Sequence, residues 1–412
     1  MTQRSFLFLQ GPPGPFFRQL ASGLRARGHH CHRINLNGGD WFDWRGPSDS
    51  FRGTLDDWSG YLHGVIERHQ VTDVILFGDC RQYHLSARVC AMNREVAVHV
   101  FEEGYIRPDW VTLERDGVNG NSSLPRDPDA YICLARQLPP VPTHNHVAPN
   151  FRQRATEAMA YCLATLLLAP RFPNYVSHRP YPILSELRGW IARIMARPIA
   201  RRRSAKSLAE LGSRRYFLLP LQLDSDHQIR IHSPFSGMAV ALEAIVRSFA
   251  AHAAKDIVLL VKEHPLDNGL HAWRNIVVDL ARAHGVADRV LFIADGDLYT
   301  IVDRASGVVT VNSTTGTLAL ASGIPVIVLG KAIYDLPGIT HQHSLDAFWV
   351  RPTAPSPDVY EAFRRVVVAR CLLYGGFSSA RARALLLPEA ITRLGGIQGR
   401  TLRAAPYAKV AA

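Results

Sequence analysis

Short apolar runs alternate with longer amphipathic stretches through the first quarter of the chain. Residues 5–9 read as a strand ending in a Gly/Pro loop from Gly11 to Pro15, and residues 17–27 as a helix stopped by Gly28. A second strand over 32–36 runs into Asn37-Gly38-Gly39-Asp40. Residues 58–69 predict a helix, 71–77 a strand, 83–93 a helix, and 96–101 a strand that stops at Glu102-Glu103-Gly104. Runs this short and wholly apolar suit strands covered on both faces, and their alternation with helical patterns predicts an α/β fold with a parallel sheet. Such sheets bind ligands in the polar loops that follow their strands.

The pattern breaks between 150 and 213. This stretch reads as mostly helical and basic, with Trp190, Ile191, Ile194 and Met195 interleaved with Arg188, Arg193, Arg197, Arg201, Arg202, Arg203 and Lys206. Alternation then resumes, with strands at 216–221, 257–262, 290–293, 307–311 and 325–329 and helices at 238–253, 272–284, 297–305 and 316–322. Two Rossmann-like units facing a cleft, joined by a helical connector, are the plan of a GT-B glycosyltransferase. The expected boundaries are 1–150, 151–213, 214–375, and a C-terminal helix with a loosely ordered tail over 376–412.

Composition narrows the class of partner. The 412 residues carry 47 Lys+Arg against 35 Asp+Glu, a formal charge of +12. With 47% hydrophobic and 20% charged residues the chain is globular, and the excess of positive charge implies an anionic partner. Nucleic acid is the poorest fit, because no recognisable binding module accompanies the basic segment. Six cysteines (Cys31, Cys80, Cys90, Cys133, Cys162, Cys371) form no CxxC pair and read as reduced core residues, which suits a cytoplasmic protein. The first residues lack a signal-peptide pattern, and the longest apolar run, from Met159 to Leu168, is too short to span a bilayer. A soluble or peripheral membrane protein is expected, with the basic segment 188–206 as the candidate membrane contact; packing against its own fold is the alternative.

Candidate chemistry lies at the strand ends. Lys262-Glu263-His264-Pro265 follows the strand at 257–262, and Pro265 biases His264 toward an extended backbone that can aim the imidazole at a phosphate or carboxylate. Ser313-Thr314-Thr315 stands where a strand meets a helix, a position suited to anion binding or to ordinary capping. Glu102 and Glu103 are adjacent in an extended segment, so their side chains take opposite faces: one can serve as acid or base in the cleft while the other anchors the loop. Gln222-Leu-Asp224-Ser-Asp226-His-Gln228 follows the first strand of the second unit and offers a carboxylate as nucleophile or base. Gln10 and Gly11, Asn37 and Asp40, and Asp79 and Arg81 lie in strand-end loops of the first unit, as acceptor-side lining or as rigid turns. No divalent-metal motif is evident.

Taken in order, LFLQGPPGPFF, INLNGGD, ILFGDCRQYH, VFEEGYIRPDWVTLE and GVNGNSSLP resemble capsule polysaccharide biosynthesis proteins of the KpsS/LipB type, from about residue 5 to 375. That resemblance implies a β-Kdo transferase using CMP-β-Kdo on a lyso-phosphatidylglycerol anchor. It extends to sialyltransferase-like GT-B enzymes, whose motif trio is matched by Glu102-Glu103-Gly104, His264-Pro265 and Ser313-Thr314. By that likeness His264, Pro265, Lys262, Gln222, Ser313, Thr314 and Thr315 hold the donor and Glu103 takes the acceptor proton. If the β configuration is retained, Asp226, ahead of Asp224, is the nucleophile. CMP-Kdo is then the donor substrate, no metal or other cofactor is expected, and the acceptor is an anionic glycolipid. Other capsule assembly proteins are further candidate partners. The competing expectations are a non-catalytic export component and a transferase for another CMP-sugar acid.

Overall fold

The computed structural model describes residues 3–147, 150–224 and 227–396. Seven strands form the first sheet: β1 (Ser5–Phe8), β2 (His30–Asn35), β3 (Asp49–Ser50), β4 (Asp73–Phe77), β5 (Ala97–Glu103), β6 (Trp110–Arg115) and β12 (Leu372–Tyr374), in the order β12-β6-β5-β4-β1-β2-β3. The second sheet holds β7 (Tyr216–Pro220), β8 (Val258–Lys262), β9 (Val290–Ile293), β10 (Gly307–Thr310) and β11 (Val326–Val328), ordered β11-β10-β7-β8-β9 and parallel throughout. Counted within each unit, the first five strands follow one doubly wound order, 5-4-1-2-3. Each sheet therefore has a switch point between its first and fourth strands, where crossovers diverge and leave a crevice. The apolar runs that predicted strands are buried along their whole length in β1, β7 and β8, as helices on both faces require.

Two features differ from the sequence expectation. Strand β5 continues through Glu103, because β6 returns antiparallel beside it and pairs Glu102 with Thr112 and Glu103 with Val111. The chain after 356 belongs to the first unit, not the second. Helix Pro357–Cys371 packs on helix Pro128–Ala135, β12 pairs antiparallel with β6, and helix Ala380–Gly395 covers helix Phe16–Ala26. Phe16 and Phe377 meet edge to face at 4.9 Å, so the aromatic core of the first unit is closed by residues from the far end of the sequence. A second unit ending at 375 thus gives way to one that ends near 350; short β-segments carry no sign in the sequence of which sheet they will join. The tail beyond 396 lies outside the described residues.

The connector comprises helix Phe151–Leu167 and a 29-residue helix, Ile183–Leu211, which contains Pro198. Among the described residues no helix is long and apolar enough to cross a membrane.

Candidate functional site

At the switch point of the first sheet, the loop after β1 meets the loop after β4. Gln10 accepts from the Arg81 guanidinium at 2.9 Å, and its amide donates to the hydroxyls of Tyr161 and Tyr175 at 2.9 and 3.1 Å. Tyr161 also accepts from Asn37 at 2.9 Å and donates to Asp40 at 3.1 Å. Asn37 caps the short helix Gly38–Trp44, and the buried Asp40 pairs with the buried Arg33 at 2.9 Å. Gly38 permits this packing: a Cβ there would stand 2.2 Å from the Ala164 carbonyl of the first connector helix. Gly11 lies against the Phe17 ring. Gln10, Asn37 and Asp40, expected as acceptor-side lining, thus form the seat on which the connector docks. Asp79 is likewise buried, accepting from the Val118 amide at 3.1 Å and the Asn121 side chain at 2.9 Å, with Arg88 at 3.4 Å.

Between the units lies a cavity of about 400 Å³. The first unit contributes the 77–81 loop, Glu102 and Asn119; the connector contributes His178 to Tyr181, Glu186 and Trp190; the second unit contributes Leu223, Asp224, Leu266 to Asn268 and His271. Of the predicted residues, Asp79, Arg81, Glu102 and Asp224 meet here. Glu102 Oε1 accepts the Glu103 amide at 3.0 Å. Glu103 points to the other face of the strand and pairs with Arg154 at 3.2 Å and Arg107 at 3.5 Å. The opposite-face expectation therefore holds, with Glu102 as the carboxylate on the cavity wall. Asp224 is engaged as a helix anchor: its Oδ1 accepts the Met238 amide at 2.8 Å, while Arg230 and His271 lie 3.7 and 3.8 Å from Oδ2. Asp226 lies outside the described residues.

On the second unit, Pro265 occupies the second position of a turn closed by the Asp267 amide donating to the His264 carbonyl at 3.1 Å. His264 Nδ1 accepts the Leu266 amide at 3.1 Å. Burial, together with the charges of Arg107, Arg193, Lys262 and Arg154, holds the imidazole down to about 4. At neutral pH the ring is uncharged with its proton on Nε2, a hydrogen-bond donor within a cationic surround. The connector fixes this loop: Arg193 donates to the carbonyls of His264 and Asp267 at 3.0 and 2.8 Å, and Gly189 lets its helix touch Asn268. Lys262 ends β8 buried, and burial lowers its ammonium pKa. Gln222 accepts the Asn312 amide at 2.8 Å, joining the loops after β7 and β10. Ser313 turns its hydroxyl back on its own loop, accepting from the Thr315 amide at 3.2 Å; Thr314 and Thr315 are half-buried beside it. None of these three lines the cavity.

Among the described residues, Asp79, Cys80 and His232 are the group spaced to share an ion, all buried. Cys80 Sγ stands 3.4 Å from His232 Nε2 across the unit boundary. Burial, reinforced by Asp79, pushes the thiol far above its usual range, so the contact is a thiol–imidazole hydrogen bond.

The sequence reading missed the connector's share of the cavity. Tyr181 Oη and His271 Nε2 are 2.6 Å apart, and Arg179 pairs with Glu186 at 2.6 Å. The available signal was His178-Arg179-Pro180-Tyr181-Pro182, a proline-bracketed polar loop inside an otherwise helical linker.

Two doubly wound units, a cleft between them and polar loops from both along its walls define a protein with the GT-B glycosyltransferase architecture. The family described as capsule polysaccharide biosynthesis protein matches residues 72–377, and the chain belongs to that family. Capsule polysaccharide export protein KpsS of Escherichia coli is 33% identical over 376 residues, covering 90% of this chain and 96% of that protein. Capsule polysaccharide modification protein LipB of Neisseria meningitidis serogroup B is 34% identical over 393 residues, covering 91% and 92%. A solved structure, KpsC of Thermosulfurimonas dismutans, titled beta Kdo 2,7 transferase, is 14% identical, with 95% of this chain and 98% of that one covered at a TM-score of 0.47.

Proposed function

We propose that this capsule biosynthesis protein transfers Kdo from CMP-β-Kdo to lyso-phosphatidylglycerol or a Kdo-primed lipid, working at the cytoplasmic face of the inner membrane. The observation that carries the reading is a carboxylate on the wall of the interdomain cavity together with a buried, uncharged imidazole among cations on the loop after β8. Glu102 lines the cavity, while neutral His264 sits within the field of Arg107, Arg193, Lys262 and Arg154. A CMP-sugar acid brings a phosphate and a carboxylate, and its departing CMP leaves as a phosphate monoester, which needs cations and a hydrogen-bond donor more than a strong acid.

With retention, two displacements follow. A carboxylate first replaces CMP at the anomeric carbon. The acceptor hydroxyl then replaces that carboxylate, and its proton passes to Glu102. The engagement of Asp224 with Met238 and its cationic neighbours favours Asp226 as the nucleophile. Glu103, held by Arg107 and Arg154, orients the donor's cationic seat.

The test is mass spectrometry of short-chain lyso-phosphatidylglycerol incubated with the protein, CTP, Kdo and a CMP-Kdo synthetase. A product heavier by one Kdo residue is expected. An unchanged acceptor with CMP binding intact would move the activity to another acceptor or sugar acid. Loss of both would favour an export component, the role in the name of the Escherichia coli relative.

A further inference from the structure

The second connector helix has two faces of opposite character. Its inward face supplies Glu186 and Trp190 to the cavity and seats Arg193 against the His264 loop. Its outward face carries Leu187, Ile191, Ile194, Met195 and Ile199, each at least half exposed, and Met195 reaches 76%. The steps of four, three, one and four residues keep these side chains on one stripe. The helix holds seven basic residues against two acidic ones, and Arg188, Arg197, Arg202 and Arg203 are exposed. A soluble domain seldom leaves such a stripe bare. The first connector helix adds a second outward stripe at Met159, Leu163, Leu166 and Leu167.

We propose that this outward face docks on an anionic phospholipid bilayer, the long helix lying in the plane of the headgroups. The apolar stripe enters the acyl boundary while the arginines reach the phosphates beside it. Excess positive charge along the stripe selects an anionic lipid surface over a partner helix, which would need acidic residues to match. The proposal deepens the reading of a lipid-linked acceptor and rests on it for its purpose: Trp190 on the cavity wall and Ile191 in the stripe are neighbours in sequence. An acceptor headgroup can thus enter the cleft while its acyl chain stays in the membrane.

The experiment is co-sedimentation of the full chain with vesicles of phosphatidylcholine alone and of phosphatidylcholine mixed equally with phosphatidylglycerol. The protein should partition to the mixed vesicles, less so at high salt. The triple variant Ile191→Glu, Ile194→Glu, Met195→Glu should lose at least tenfold in partition. Arg202→Gln with Arg203→Gln should lose less and shed much of the salt dependence. Both variants should keep the parent melting temperature and full turnover on a water-soluble short-chain acceptor. Absence of the parent from both vesicle pellets would overturn the proposal, as would undiminished binding by the triple variant. A parent dimer that the triple variant dissolves without lipid would assign the stripe to a second copy of the chain. If binding fails while the short-chain acceptor is still glycosylated, the docking surface falls and the transferase reading stands; the converse result removes the transferase and keeps the surface.

Discussion

The two units share a strand order and a device at the switch point, yet use them differently. In each, a buried glutamine after the first strand reaches the loop after the fourth: Gln10 to Arg81, and Gln222 to Asn312. In the first unit that crevice is roofed by Tyr161 and Tyr175 of the connector and becomes a joint between two pieces of protein. In the second, the neighbouring strand end carries Lys262 and His264 in a cationic field, and the connector supports the loop from behind through Arg193. The same topology thus yields a docking seat on one side and, on the other, a cation-surrounded loop that we propose as the donor's anion site. The difference lies in what the loop side chains meet, not in the sheet.

The largest expected effect falls on the chemistry. Glu102→Gln should lower turnover by roughly 10²–10⁴-fold with melting unchanged; near-normal turnover would return the proton role to another group, Glu103 first. His264→Ala should weaken CMP binding by roughly tenfold to a hundredfold, the range for a hydrogen bond to a charged group, as read by calorimetry. Unaltered affinity would mean the second unit's crevice is no more specialised than the first. Substitutions in the seat should act on stability instead. Gly38→Ala drives a methyl into the Ala164 carbonyl and should cost about 2 kcal/mol or more in denaturant unfolding. Tyr161→Phe leaves Gln10 and Asn37 short of an acceptor and should cost about 1–3 kcal/mol. If either leaves stability alone but abolishes turnover, the first crevice is part of the site after all.

The smallest effect is in pH, and the two units pull in opposite senses. Burial raises the Asp43 carboxyl to about 7, so the folded state holds its proton more tightly and stability declines as pH rises from about 4 to 7. His264, depressed to about 4, binds its proton more weakly folded than unfolded, so stability declines as pH falls from about 6.5 to 4. The two windows overlap, so the opposed slopes should largely cancel and leave melting temperature nearly flat between about pH 4 and 7. Asp43→Asn should uncover the His264 contribution, so that melting temperature rises with pH across that window, and an unchanged profile would remove Asp43 from the account.

Much of this arrangement was legible in the sequence, because buried parallel strands announce themselves as short apolar runs. The turn role of Pro265 was readable from local rules, as was the division of Glu102 and Glu103 between opposite faces. What stayed hidden depends on contacts distant in sequence. Nothing local distinguishes an Asn37 that will meet a ligand from one that will meet Tyr161, 124 residues away. Nor does the three-residue strand Leu372–Tyr374 carry any mark of the sheet it joins. The Glu102 assignment to the cavity needed the antiparallel pairing with Trp110–Arg115, which sets which face each carboxylate takes.

The return of the chain to the first unit also sets an order of birth. By the time a ribosome has added residue 350, all five strands of the second sheet exist and that unit can close. The first unit, begun earlier, still lacks an edge strand and the helix that covers Phe16 and Leu20. The unit begun first is thus completed last, and a premature stop soon after 350 would release a finished second unit tethered to an unsealed partner.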